Sequence, residues 1–179
     1  TDELFNSGFV NENTFTKAFE LVGSIDPDIQ TKHENAKVIV EGGAQINAAT
    51  NGKVLLFAPT VKVEKEGVVT DVNGNVVKDV NGNAQMRETI IRTPDGQTIL
   101  AAGKKVYLKA SKDPAGFLVE VDSGGTATNL GKIIAERGNI TMMGLAVNQA
   151  GTLSATTSVR ANGSIKLIAQ DKVSVVGVD

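Results

Sequence analysis

The sequence predicts an all-β protein with the architecture of a parallel β-helix, and three observations support this. Short runs with an apolar residue at every second position recur along the 179-residue chain, separated by Gly, Asn, Asp or Pro. Gly131 and Gly151 lie 20 residues apart in similar segments, as do Ala135 and Ala155. Apolar residues make up 41% of the chain, but aromatic residues only 4%, and Trp is absent. A core of small and branched side chains suits stacked strands.

One frame of residues defines the repeat. A small residue is followed by small or apolar residues two, four and six positions later, so that one side of a short strand faces a core. The copy at Gly52 continues with Val54, Leu56 and Ala58. Further copies begin at Ala36, Gly96, Gly138 and Gly163. A second alternation follows each copy, at Ile46/Ala48, Val61/Val63, Val106/Leu108, Val147 and Val173/Val175. A period near 20 is typical of one coil of a solenoid, in which like residues stack.

Two other architectures share part of this pattern. Leucine-rich repeats have a similar length, but their Leu/Asn consensus and their helical segment are missing from the sequence. An antiparallel sandwich also contains short alternating strands, but it does not require the same residue types at the same offsets. Stacking of one coil on the next does require this. We therefore expect a single β-helix domain over residues 1–179.

Two regions fall outside the repeat. Residues 1–35 are expected to form a cap or an irregular lead-in, and within them the stretch "NENTFTKAFELVG" has helical spacing, with helix and loop both open. Residues 67–93 are expected to form an extra-helical insertion. This insertion contains "TDVNGNVVKDVNGN", in which Asn-Gly pairs separate Val-rich runs. The pairs Asn73-Gly74 and Asn81-Gly82 predict hairpin turns of type I′ and hence a three-stranded meander.

The doubled stretch does not complete a calcium loop. A loop of the EF type requires Gly at its sixth position and Glu at its twelfth. Counting from Asp71, these positions hold Val76 and Gly82, and the copy that begins at Asp79 fails at both positions as well. We therefore expect no metal site and no other cofactor in this protein.

No catalytic constellation is apparent, and we expect no enzyme activity. His33, the single histidine, lies in the polar run "TKHEN" and is expected in a solvated loop. The acidic residues do not recur at coil spacing, apart from Glu120 and Glu136, and Glu136 adjoins Arg137, which favours a corner ion pair. The chain has no Cys, which excludes disulfides, thiolate catalysis and Cys-ligated zinc.

Asn129 and Asn148 are predicted to have a structural role. They lie 19 residues apart, about one coil, and are expected to stack as an Asn ladder inside a corner. The net charge of -2 with mixed signs gives no basic stripe, so nucleic acid is not expected as a partner.

The stretches "GQTILAAGKKVYL" and "FLVEVDSGGTATNLGKIIAERGNITMMGLAVNQAGTLSATTSVRANGSIKLIAQD" resemble exoproteins of the filamentous haemagglutinin family. These are the large secreted partners of two-partner secretion in Gram-negative bacteria. The resemblance runs from about Val38 to Val175, with an interruption at 67–93. It implies a right-handed parallel β-helix with extra-helical hairpins. The family's signatures Asn-Pro-Asn-Leu and Asn-Pro-Asn-Gly-Ile are absent, so the chain corresponds to the region that follows them.

This resemblance implies a function as well as a fold. The chain is expected to be a non-catalytic segment of the N-terminal secretion region of a large adhesin or haemagglutinin, secreted or held at the cell surface. Its expected partners are an outer-membrane transporter, which it crosses unfolded, and a host or bacterial surface; the chain itself is expected to be monomeric. The alternatives are a surface binding module for a host glycan or receptor and, less favoured, a β-helical polysaccharide-degrading enzyme. Because it begins with Thr1, we expect a segment of a longer protein.

Overall fold

The computed structural model describes residues 15–21, 23, 26–112, 115–155 and 164–176. These residues form fifteen strands and one short helix, so the protein is all-β, as predicted. The helix α1 is Pro27–Glu34. The strands are β1 (Thr16–Glu20), β2 (Lys37–Val40), β3 (Gln45–Asn47), β4 (Lys53–Ala58), β5 (Thr60–Val63), β6 (Glu66–Val68), β7 (Met86–Glu88), β8 (Ile90–Arg92), β9 (Gln97–Lys112), β10 (Ala115–Gly124), β11 (Thr126–Asn129), β12 (Lys132–Glu136), β13 (Asn139–Gln149), β14 (Thr152–Ala155) and β15 (Ser164–Val175).

Most of these strands pair in parallel and form three stacks, and we call each strand of a stack a rung. Stack 1 contains β4 and the first halves of β9, β13 and β15. Stack 2 contains β2, β5, β11 and the second halves of β13 and β15. Stack 3 contains β3, β8, β12 and β14. The chain visits the stacks in the cyclic order 2, 3, 1, so each rung lies on the rung formed one turn earlier.

The main core lies between the three stacks and consists of columns of like residues. The column of stack 1 contains Leu56, Leu100, Met142 and Leu167, in register from rung to rung. The column of stack 3 contains Ile46, Ile91, Ile133 and Leu153. The four central residues of these columns are fully buried, as stacking of apolar side chains requires. Ile165 lies two residues before Leu167 in β15 and is in register with Ile140. It remains 43% exposed, because no described strand lies beyond β15.

The prediction for the first copy of the repeat, which begins at Ala36, is wrong. Val38 and Val40 do not belong with the copy at Gly52. They form a rung of stack 2 and are in register with Val61 and Val63. In all three stacks every second residue faces the main core, so the sequence pattern does not distinguish them.

Glycines at the corner between stacks 3 and 1 explain why the frame begins with a small residue. Gly52, Gly96 and Gly138 lie on one another in successive turns. A Cβ on Gly96 would lie 1.8 Å from the carbonyl oxygen of Gly52, and one on Gly138 would lie 1.9 Å from that of Gly96. These carbonyls accept hydrogen bonds from the next turn, from the N–H of Gln97 at 3.2 Å and of Asn139 at 2.9 Å. A side chain at this corner would therefore separate the rungs.

A second, smaller layer covers the outer side of stack 1, and we call it the hairpin layer. It consists of β1, the second half of β9 and β10, all antiparallel. Its side chains, including Val106, Leu108 and Val121, pack on the outward side chains of stack 1, including Phe57 and Ile99. The assignment of Val106 and Leu108 to a coil is therefore wrong. A strand with one buried side alternates in the same way in either layer.

The N-terminal segment differs from its prediction. Residues 16–20 of the expected helix or loop form β1, which pairs with β9; residues 11–14 and 22 lie outside the described residues. A bulge between Lys17 and Phe19 lets both Ala18 and Phe19 pack on the core between the hairpin layer and stack 1. Pairing with an available strand edge outweighs the local helical spacing.

The helix α1 was not predicted, although the sequence contains its start signal. Asp26 caps the helix by accepting hydrogen bonds from the N–H groups of Asp28 and Ile29, and Pro27 occupies the first turn. No residue of the helix is buried, and Glu34 forms an ion pair with Lys104 at 3.0 Å. The polar composition had suggested a loop because it provides no apolar face.

The predicted insertion is present over 66–88, and we call these residues the meander. The prediction of three strands side by side is wrong, because the first and last strands pair directly with each other and form a hairpin with two loops at its tip. Strand β6 pairs with β7, and single bridges join Thr70 to Val76 and Lys78 to Ala84. The boundary predicted at residue 93 is wrong, because Ile90–Arg92 forms the rung β8 of stack 3. The meander therefore leaves and rejoins the stacks at one corner, between β5 and β8.

We expect Gly96→Ala to lower the free energy of unfolding by about 2 to 3 kcal/mol, because the new methyl group meets a backbone atom that cannot move aside alone. Gly23→Ala is the matched control, since among the described residues the side-chain oxygen of Gln30, at 3.7 Å, is the one neighbour of a Cβ there. Urea unfolding monitored by circular dichroism measures both. Equal stability of the two variants would contradict the close packing at this corner.

Replacing residues 70–84 with Asn-Gly should leave the stacks folded. Val69 and Gln85 are already joined by a hydrogen bond of 2.9 Å, so a two-residue turn can close the β6–β7 hairpin. Val72 and Val80, at the two tips, are fully exposed and contribute no burial. We expect a change in unfolding free energy below about 1 kcal/mol, with a single transition. A loss of cooperativity would show that the meander supports the stacks.

Candidate functional site

The predicted Asn ladder is wrong by one residue. Asn129 is in register with Gln149, and Asn148 is in register with Thr128. The Asn129 amide is fully buried and donates to the Gln149 side-chain oxygen at 3.0 Å, while Gln149 donates to the carbonyl of Gly151 at 2.9 Å. The repeat length here is 20 residues, so residues 19 apart point to opposite sides of stack 2. This buried amide pair fixes the register of β11 on β13.

The predicted ion pair at the corner also has a different partner. Arg137 does not pair with its neighbour Glu136 but with Asp95, one turn away, through Nε–Oδ1 and Nη2–Oδ2 contacts of 2.5 and 2.6 Å. The hydrogen bonds from this guanidinium hold the pKa of the Asp95 carboxyl below its usual value. Asp95 and Asn51 both have positive φ, at 55° and 62°, and each directly precedes one of the stacked corner glycines. This ion pair therefore links two successive turns.

Both Asn-Gly pairs lie in turns, but not of the predicted type. Only Gly74 and Gly82 have positive φ, at 82° and 84°, whereas a type I′ turn would require it at the preceding Asn73 and Asn81 too. In the first loop the N–H of Gly74 donates to the carbonyl of Asp71 at 3.0 Å. This is a type I turn followed by a left-handed glycine. The Asn-Gly pair therefore predicts the place of the turn but does not determine its type.

The Asp side chains of this doubled stretch accept hydrogen bonds from backbone N–H groups of their own loops. Oδ1 of Asp71 accepts hydrogen bonds from the N–H groups of Asn73 and Asn75, both at 2.9 Å. The Asp79 carboxylate has the same two contacts in the second copy, at 2.8 and 2.9 Å. These bonds, first of all the one from the N–H of Asn75, lower the pKa of Asp71. The carboxylates therefore order the loops.

The remaining candidates do not converge. Among the described residues, no three His, Asp or Glu side chains come close enough together to hold a metal ion. Glu120 lies in β10 of the hairpin layer and Glu136 at the end of β12 in stack 3. His33, expected in a loop, lies in the last turn of α1 and is half-buried.

A groove lies between the hairpin layer and the outer side of stack 1. It has a volume of about 80 Å³. One wall is formed by residues 117–119 of β10, and the floor by outward side chains of β13 and β15, including Thr141, Lys166 and Ile168. Phe117, Ile168 and the two residues that follow Phe117 are apolar, whereas the rest of the lining is polar or charged. The groove thus combines an apolar surface with one cation.

The side chain of Gln97 fixes the start of this wall. Its Nε2 donates to the carbonyl of Phe117 at 2.9 Å, and its Oε1 accepts from the N–H of Phe117 at 2.8 Å. Both backbone groups of Phe117 therefore point away from the second half of β9, where Ala110 is its partner in the pairing. Because orientation alternates along a strand, the N–H and C=O of Val119 point the same way, toward the groove. No described strand pairs with this edge of β10.

This groove was not predicted, although the sequence contains part of the signal for it. Val119 and Val121 alternate in the same way as Val106 and Leu108, with "KASKDPAG" between the two runs, a pattern typical of a hairpin. Gln97 and Lys166 could not have been found, because they lie far apart in the chain and approach only through the stacking of β9, β13 and β15.

Comparisons with known proteins give no relative of this chain. No family model, no curated protein and no solved structure matches it. None of the helices in the described part of the chain is sufficiently long and apolar to cross a membrane.

Acidification should open the two Asp-Val-Asn-Gly-Asn loops, at 71–75 and 79–83. The pKa of Asp71 in the folded protein is lowered, so its stabilising bonds are fully present above the usual Asp pKa of about 3.9 and are lost as the pH falls through the lowered value. In an NMR titration, the carboxyl carbon of Asp71 should have a midpoint below about 3.9. The amide signals of Asn73 and Asn75 should move with it. In Asp71→Asn these amide signals should not titrate, and a normal midpoint in the unaltered chain would contradict the assignment.

Proposed function

We propose that this chain is a right-handed parallel β-helix of the filamentous haemagglutinin family, acting as a non-catalytic scaffold in the secretion region of a large adhesin. The observation that carries the proposal is the arrangement of parallel rungs in three stacks, visited in cyclic order and aligned like on like. The resemblance of residues 96–108 and 117–171 to that family supports the same conclusion. The meander and the hairpin layer take the place of the family's extra-helical hairpins.

Stacked rungs suit a protein that folds as it leaves a membrane pore. Each rung contacts mainly the rungs before and after it, so folding can proceed along the chain from the first turn to the last. A completed turn offers backbone N–H and C=O groups to the next one. The absence of Cys is consistent with passage through a pore, because a covalently closed loop would obstruct a threaded chain. The chain would then form the rigid base of an elongated surface protein.

The proposed route requires an outer-membrane transporter as the partner and places the folded protein outside the cell. The longer protein would carry out the adhesion, by binding a host or bacterial surface. An alternative function, a surface binding module for a glycan or receptor, is favoured by one described feature, the groove at β10.

A pair of cysteines tests the export route. Thr128 and Asn148 are in register on adjacent rungs and their side chains lie 3.5 Å apart, so Thr128→Cys with Asn148→Cys can form a disulfide that closes a loop of about 20 residues. When the variant is produced in the bacterium that encodes the protein, the disulfide should form in the oxidising periplasm. We expect at least a tenfold loss of protein from the cell surface and medium, measured by immunoblot, and recovery with a reducing agent.

The two single-cysteine variants are the matched controls and should be exported normally, because one cysteine closes no loop. Undiminished export of the double variant with its disulfide formed would contradict a route in which the chain is threaded unfolded.

A further inference from the structure

The outer side of stack 1 changes from apolar to polar within the groove. One outward column runs through Leu55, Ile99, Thr141 and Lys166, which are in register on successive rungs. Leu55 and Ile99 pack in the core beneath the hairpin layer. On β13 and β15 the same column is polar, and these two rungs form the floor of the groove. The floor therefore suits a hydrated, polar ligand better than a further apolar layer.

The floor offers two hydroxyl groups at fixed positions. Thr141 lines the groove and is only 5% exposed, and its hydroxyl shares no hydrogen bond with another described side chain. The Ser164 hydroxyl donates to Oδ1 of Asn139 at 2.6 Å, which orients it and leaves its oxygen able to accept. Hydroxyl groups that are held in place can exchange hydrogen bonds with the hydroxyls of a ligand at a low cost in entropy.

A cation and an apolar side chain lie beside these hydroxyls. Lys166 is half-buried, and none of the ion pairs or side-chain hydrogen bonds between described residues involves its ammonium group. Ile168 lies two residues later on the same side of β15 and is 41% exposed. The matching ligand therefore carries one negative charge next to a small C–H surface.

The size of the groove limits the ligand further. One water molecule requires about 10 to 15 Å³ of such space. The groove has about 80 Å³, so it holds roughly five to eight heavy atoms. This corresponds to most of one sugar ring with its substituent and is too small for a folded partner or a whole oligosaccharide.

We infer that the groove binds a uronic acid residue of an acidic saccharide. The sugar carboxylate pairs with Lys166, the ring hydroxyls exchange hydrogen bonds with Thr141 and Ser164, and the C–H face of the ring covers Ile168. A uronic acid combines one negative charge, hydroxyls and C–H surface in a single ring, whereas a phosphate group favours several cationic donors. The inference rests on the alternative function, a glycan-binding module, and not on the export route.

The test uses the 179-residue chain and three probes. These are methyl β-D-glucuronide, methyl β-D-glucoside, which has CH2OH in place of the carboxylate, and acetate, which has the carboxylate without the sugar. In NMR titrations we expect saturable binding of the glucuronide, with a Kd of about 1 to 10 mM and with amide shifts at Val119, Thr141, Lys166 and Ile168. The glucoside and acetate should each bind at least fivefold more weakly.

Two variants separate the charge from the hydroxyl contact. Lys166→Gln should abolish the preference for the glucuronide over the glucoside, whereas Lys132→Gln should keep it, because Lys132 is a half-buried cation on the outer side of stack 3, away from the groove. Thr141→Val, which keeps the side-chain shape, should weaken both sugars at least threefold and leave acetate unchanged. Melting temperatures show that each variant is folded.

Three results would each overturn the inference: no saturable shift at about 50 mM glucuronide, acetate binding as tightly as the glucuronide, or an unchanged preference in Lys166→Gln. The second result would mean a site for any carboxylate, without recognition of the sugar. A chain that is exported as proposed but binds no glucuronide would overturn this inference alone and leave the secretion role intact.

Discussion

The structure depends on one constraint, the hydrogen bonding of every turn to the turn before it at a spacing of about 4.8 Å. This spacing fixes the register of each rung and aligns Leu100 with Met142 and Ile91 with Ile133. It also decides which residues are allowed at the corners. Where Gly52, Gly96 and Gly138 succeed one another, a single Cβ would enter the carbonyl of the preceding turn. The small residues of the repeat follow from this close approach rather than from a need for unusual backbone angles.

Polar contacts in the core and on the surface also fix the register of successive turns. Inside stack 2, Asn129 and Gln149 form a buried amide contact, which would be lost if β11 slipped by one residue. Outside, Arg137 and Asp95 join two turns through a bidentate pair at an exposed corner. The exposed pair contributes little to stability, because solvent screens it, but its planar geometry specifies which turns are neighbours. Register is thus specified at several independent points.

Insertions are tolerated because they leave the stacks at corners. The meander departs after β5 and returns before β8, and it bonds mainly within itself. The hairpin layer behaves differently, since it folds back and buries the outer side of stack 1 as a second core. Its last described strand is β10, and a groove lies between β10 and the outer side of stack 1.

The sequence by itself determined the all-β class, the inward column of stack 1, the small corner residues and the position of the meander, because each depends on a short period or a local turn. It did not determine which stack a rung joins. Val38, Ile46 and Val54 have the same alternation, and only the pairing of successive turns separates them. The one-residue error at Asn148 has the same origin, since a register is a relation between two segments.

Tertiary structure alone decided the second core and the groove. Residues 16–20 have helical spacing but form a strand, because the edge of β9 offers hydrogen bonds and an apolar surface that an isolated segment lacks. Gln97 and Lys166 are distant in the chain and become neighbours of β10 only when three rungs stack and the hairpin folds back over them. Local periodicity specifies a strand and its buried side. The partner of that strand depends on which edge is free when the rest of the chain has folded.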